Sequence, residues 1–169
     1  MSWSEVRSRR AVLASLASLA GAGLAGCNFA LRQPPKLPFS SIALTGFAPR
    51  SPMADELRRQ LARQVRVLDT PDRVDVVLQA LEDARERSVV ATTSSAEVRE
   101  MQLRVKFNFR AQTPSGRVLI PRAELLLARD LSYIETAALA KEYEEAELFR
   151  EMQADVVGQV LRRLAAVQI

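Results

Sequence analysis

The apolar positions along this chain change period several times, and each change marks an element. Ser40 to Phe47, Ser-Ser-Ile-Ala-Leu-Thr-Gly-Phe, reads as a short first strand that ends at Gly46 and Pro49. Met53, Leu57, Leu61, Val65 and Leu68 then recur at steps of three and four, which predicts a helix. Ser51 is its expected N-cap, Pro52 lies in the first turn, and Asp55 and Glu56 sit near its N-terminus. Arg58, Arg59, Arg63 and Arg66 fall on the solvated flanks. Val74, Val76, Leu78 and Ala80 return to period two and predict a second strand over 74–81. Val89-Val90 would extend it, but Glu82 to Ser88 are too polar to assign.

The clearest strand comes next. Met101, Leu103, Val105, Phe107, Phe109 and Ala111 alternate strictly with Gln102, Arg104, Lys106, Asn108 and Arg110, so one face is buried and the other is wet and basic. Thr113-Pro114-Ser115-Gly116 is a turn, and Val118 to Leu131 returns as the second arm of a hairpin. Pro121 gives that arm an edge position, a bulge or an irregular start. From about Ala137 to Val167 the steps are again three or four: Leu139, Tyr143, Ala146, Phe149, Met152, Val156, Val160, Leu164 and Val167. Glutamates crowd the beginning of this long amphipathic helix and Arg162-Arg163 its end, as the helix dipole favours. A sheet with one apolar face needs covering, so the stripe is expected to pack on it. The fold class is therefore α+β: two helices on one face of a mainly antiparallel four-stranded sheet, in the order strand, helix, three strands, helix.

The N-terminus has a different character. Arg7, Arg9 and Arg10 precede a run of Ala, Leu, Val, Ser and Gly from Ala11 to Leu24, and small residues lead into Cys27. That is the layout of a secretory signal peptide. The stretch is short of the roughly 20 predominantly apolar residues that a spanning helix needs. Leu24-Ala25-Gly26-Cys27 resembles a bacterial lipobox, which implies that residues 1–26 are removed and that Cys27 is acylated and becomes the first residue of a lipid-anchored protein. Ser8-Arg9-Arg10-Ala11 leaves both Sec and twin-arginine export open, and Asn28 in place of Asp favours the outer membrane by the family sorting rule. Pro34, Pro35 and Pro38 make 27–39 an extended tether, leaving 40–169 as a single domain.

Charge and chemistry narrow the function. Loss of residues 1–26 removes three basic residues and one acidic one, leaving 21 against 19, so the mature chain has no pronounced basic balance for nucleic acid. The chain has no histidine and one cysteine, which lies in the lipobox. Ser/His/Asp and Cys/His sites, His-containing zinc sites and internal disulfides are thus excluded. Gly46, Gly116 and Gly158 begin no phosphate-binding loop. The acid/base candidate that remains is Glu142, Glu144, Glu145 and Glu147, whose place at a helix start gives them a structural reading. No catalytic residue, metal or cofactor is expected.

Three segments resemble the LptE family of lipopolysaccharide-assembly lipoproteins: Gly26-Cys27-Asn28-Phe29-Ala30-Leu31-Arg32, Ala138-Leu139-Ala140-Lys141-Glu142, and Glu151-Met152-Gln153-Ala154-Asp155 with Leu161-Arg162-Arg163-Leu164. Element order agrees as well. The resemblance implies a non-enzymatic protein on the periplasmic side of the outer membrane. It would plug and help assemble an LptD-type β-barrel and assist lipopolysaccharide insertion into the outer leaflet. Lys141 matches a basic position associated with lipopolysaccharide in the family. The second basic position that some relatives use falls near Ala91 to Ser95, which carry no charge. Arg99, Arg104 or Lys106 would replace it if they face the same way. The alternative readings are an auxiliary lipoprotein of an envelope lipid transporter and an envelope glycan enzyme built on the glutamates.

Overall fold

The computed structural model describes residues 35–95, 97–133 and 138–169, all within one compact unit. Cys27, the lipobox and most of the tether lie outside the described residues. Among the described residues five strands and two α-helices follow in order: β1 (Ser41–Thr45), α1 (Pro52–Leu61), β2 (Arg66–Leu68), β3 (Val76–Thr92), β4 (Val98–Gln112), β5 (Val118–Ser132) and α2 (Ala138–Ala165). A short 3-10 turn at Pro71–Arg73 links β2 to β3. The α+β class and the two helices agree with the sequence reading. The sheet, however, has five strands in the order β2-β1-β3-β4-β5, and it is mixed. β1 pairs in parallel with both β2 and β3, whereas β3–β4 and β4–β5 are antiparallel.

The extra strand was hidden in the expected first helix. The α1 helix starts as the sequence predicts, with the Ser51 side chain accepting a hydrogen bond from the Ala54 amide and Pro52 in the first turn. It stops at Leu61, and Arg66–Leu68 turns back as β2. Val65 and Leu68 match the helical spacing by coincidence of period. What decides their conformation is the backbone of β1, where Ile42 and Ala43 are fully buried. Its outer edge would be unsatisfied without a partner strand, and the Arg66 amide donates to the Ser40 carbonyl at 2.9 Å.

The second strand is also longer than its apolar pattern. β3 runs unbroken through the polar stretch to Thr92, with a bulge at Leu81 between Ala80 and Glu82. Its register puts Asp83, Arg85 and Arg87 opposite Phe107, Val105 and Leu103, on the face that the helices cover. Those charges are partnered from the helix side. The Ser51 hydroxyl donates to Asp83 at 2.6 Å, and Arg85 donates to the Gln153 side chain while its guanidinium lies 5.6 Å from the Phe149 ring centroid. β5 is the edge strand that Pro121 suggested. Two of its residues, Pro121 and Arg122, stand against Arg110 alone between the Phe109–Ala123 and Ala111–Ile120 pairs.

One apolar core lies between the helices and the sheet. It joins Met53, Leu57 and Leu61 of α1 to Met152, Val156, Val160 and Leu164 of α2, over Leu103, Val105, Phe107 and Phe109. Phe47, Phe107 and Phe109 stack in a row with centroids 5.9 and 5.5 Å apart. Phe39 is buried in this core and Leu37 packs against it, so packed structure reaches into the stretch read as tether. Gly46, at φ +79°, ends β1 where a Cβ would meet the Ala80 carbonyl oxygen at 2.3 Å. Only glycine allows this close crossing.

Candidate functional site

The long antiparallel part of the sheet extends past β1, and the start of α2 lies over its far end. Between them is an open cavity of about 410 Å3 lined by Arg87, Val89, Val98, Met101, Tyr133, Lys141, Glu142 and Glu145. A neighbouring groove of about 440 Å3 shares Arg87, Glu142 and Glu145 and continues along Arg85, Ala146, Phe149 and Arg150. The floor is apolar and the rim carries charges of both signs. Such a site suits an anionic amphiphile, whose charged group meets the rim cations while its apolar part lies on Val89, Val98 and Met101.

Lys141 is therefore placed in a cavity. Its side chain is only 15% exposed, and its ammonium stands 2.7 Å from Glu144. Arg87 is the second cation of the rim, with its guanidinium 3.7 Å from Glu145. The sequence reading missed Arg87 because it lies in the polar run that interrupts the β3 pattern. A period-two count continued from Ala80 would not have found it either, since the bulge at Leu81 shifts the phase.

The other expected basic residues do not join Lys141. Arg104 and Lys106 alternate with Leu103, Val105 and Phe107 and so face the side of the sheet that carries no helix. There Lys106 pairs with Glu82 at 2.8 Å, and that carboxylate holds its ammonium above the usual lysine range. Asn108 donates to the same Glu82 at 2.6 Å, while its own carbonyl oxygen is buried without a protein partner. Arg104 donates to Gln102, which in turn donates to Asp130. Arg99 is exposed at the same end of the sheet as the cavity, two residues before Met101, but does not line it. The uncharged segment Ala91 to Ser95, where the second basic position of relatives falls, is the end of β3 and the residues after it, and there the Thr93 amide donates to the Glu97 carbonyl and the Thr93 hydroxyl receives the Glu97 amide.

The glutamate cluster does not stand at the helix start where the sequence reading put it, and three of its members face cations instead. Glu144, Glu145 and Glu147 are each paired with a cation, Lys141, Arg87 and Arg150 respectively. None of the four occupies the first turn of α2, which carries no acidic residue. Among the described residues no group of three metal-ligating side chains comes together, and no helix is long and apolar enough to cross a membrane.

A mixed sheet with both helices on one face and an open cavity of mixed charge at one end defines the class, an α+β sandwich domain. Comparison with known proteins sharpens this class. The chain belongs to the LptE family, whose model, described as lipopolysaccharide-assembly, matches residues 39–164. It is an LPS-assembly lipoprotein by that membership. Among solved structures it is similar to lipoprotein B of Nitrosomonas europaea, at 28% identity and a TM-score of 0.70, covering 82% of this chain and 91% of that one. The fold is shared with the rare lipoprotein B of Shewanella oneidensis, at 23% identity, a TM-score of 0.63 and coverage of 75% and 95%. It is shared too with a minor lipoprotein of Acinetobacter baumannii, at 22% identity, a TM-score of 0.61 and coverage of 77% and 93%. A comparison with curated proteins gave no match.

Proposed function

We propose that this protein is a lipid-anchored, non-enzymatic component of the outer membrane that plugs and helps assemble an LptD-type β-barrel and hands lipopolysaccharide toward the outer leaflet. Cys27 carries the anchor in this reading, and the domain works on the periplasmic side. The observation that carries it is that Lys141 and Arg87 line one cavity together with Val89, Val98 and Met101. Lipid A offers what that cavity accepts, phosphates for the cations and acyl chains for the floor. The helix-free face of the sheet supports the plug role. Gln102, Arg104, Lys106, Glu124 and Asp130 give it hydrogen-bonding groups of both signs, as contact with a polar barrel lumen requires.

Charge reversal tests the ligand half of the proposal. Lys141→Glu is expected to weaken binding of purified lipid A to the detergent-solubilised protein about tenfold or more, whereas Lys106→Glu, on the opposite face, is expected to change it less than about twofold. Equal losses would reject a privileged site at Lys141. Purification from outer membranes in mild detergent tests the partner half. A large β-barrel retained near one-to-one is the expected result, and an inner-membrane transporter in its place would favour an auxiliary role in lipid transport.

A further inference from the structure

The two cations that line the cavity are already engaged in the free protein, and by residues of a single helical turn. Glu144 lies 2.7 Å from the Lys141 ammonium, and Glu145 lies 3.7 Å from the Arg87 guanidinium. We infer that Glu144 and Glu145 are built-in competitors for the anionic group of the ligand, present to keep its stay at the site short. The inference rests on the reading of this cavity as the lipopolysaccharide site.

The geometry explains how the competition would run. A phosphate oxygen that approaches the Lys141 ammonium meets the negative charge of Glu144, 2.7 Å from it, and competes with that carboxylate for the ammonium's N–H donors. Glu144 is half-exposed, so it can swing into water when displaced and return when the ligand leaves. Glu145 is better covered and lines both the cavity and the adjoining groove, so it stays near the rim in either state. At each cation the ligand is then opposed by a carboxylate already paired with it, and gains less than it would from a free cation. A site that must receive a lipid and release it onward needs that moderation, because affinity differences among variants of one site reside mostly in the dissociation rate. The carboxylates are placed to supply it, since each replaces the departing phosphate without waiting for a counterion from solution.

The test uses the full chain in detergent micelles, purified lipid A as the probe, and four glutamine or charge variants. Glu144→Gln and Glu145→Gln should each bind lipid A roughly two- to fivefold more tightly, chiefly through slower dissociation. Glu151→Gln makes the same change in net charge on the same helix at an exposed position that lines neither the cavity nor the groove, and should leave the affinity unchanged. Equal tightening by all three would show an effect of net charge alone and overturn the inference, as would unchanged or weaker binding by the first two. Lys141→Glu separates the two levels of argument. If it reduces binding while Glu144→Gln and Glu145→Gln do not increase it, the cavity reading stands and the competitor role falls. If it has no effect, both fall together.

Discussion

The two halves of α2 carry the same stripe of apolar residues and use it in opposite ways. In the C-terminal half, Met152, Val156, Val160 and Leu164 are fully buried against α1 and the sheet. In the N-terminal half, Leu139 and Tyr143 continue the three-and-four spacing but are 74% and 78% exposed. What holds that end near the sheet is charge, chiefly the Arg87–Glu145 pair, with Arg85 forming the seam between the halves through Gln153 and the Phe149 ring. Exposed ion pairs contribute only up to about 1 kcal/mol each, whereas burying one large apolar side chain stabilises by about 1.5–3 kcal/mol. One end of the domain is thus built for stability, and the other is left open enough to hold a cavity.

The sharpest way to break this comparison is to truncate the same stripe at its buried end. Met152→Ala should destabilise the protein by about 2–5 kcal/mol, through lost transfer energy and the cavity left behind. Denaturant unfolding would measure it, with the midpoint moving to lower concentration at constant slope. A loss below about 1 kcal/mol would mean that the buried half repacks freely and that the two ends differ less than their exposures imply.

The parts of the fold legible in the sequence were those where one physical demand acts on each residue. β4 alternates strictly because one face meets the core and the other meets water, and its hairpin with β5 followed from the turn at Gly116, which has φ +90°. Legibility failed where a second demand intervened. Asp83, Arg85 and Arg87 face the helices, a position that pattern reading reserves for apolar residues, because α1 and α2 supply them with partners that lie far away in sequence. β2 was absorbed by the helical count because a spacing of three or four is also available to a helix end followed by a turn. The parallel direction of β1 was not legible at all, since the connections on either side can reach a neighbour in either sense. For the site, Lys141 came from the family resemblance, whereas Arg87 and the apolar floor depended on register across two strands that only the folded structure reveals.

A polar clamp also belongs to the stable end, and it sharpens the comparison through pH. Asp75, just before β3, accepts from the Ser40 amide at 2.8 Å, the Ser40 hydroxyl at 2.8 Å and the Ser41 amide at 3.0 Å, tying β1 to its neighbour. These bonds, the Ser40 amide foremost, hold its carboxyl below the usual aspartate range. A carboxylate with a depressed folded pKa contributes stability that is complete above the unfolded value, about pH 4, and is lost as pH falls through the folded value. Asp75→Ala should therefore cost about 0.5–1.5 kcal/mol at pH 7, since water reaches the clamp and screens it. The gap between variant and parent should close as unfolding is measured toward pH 2. A gap that persisted unchanged in acid would assign the cost to packing and remove the clamp.

The smallest expected effect lies at the open end, where Tyr143→Ser removes one of the largest side chains in the protein. Sequence alone would rank this substitution with Met152→Ala, since both positions belong to one unbroken stripe. The exposure of Tyr143 argues that its ring gives up little water contact on folding, so transfer and cavity terms are both small, and surface changes of this kind stay within about 0.5 kcal/mol. Thermal unfolding of the two variants beside the parent decides the matter, because the comparison requires a large shift for one and almost none for the other. A Tyr143→Ser loss near that of Met152→Ala would mean that the start of α2 packs within the protein itself. The rim cations would then sit on a rigid wall, and the cavity would lose the open side through which an amphiphile of the size of lipid A has to enter.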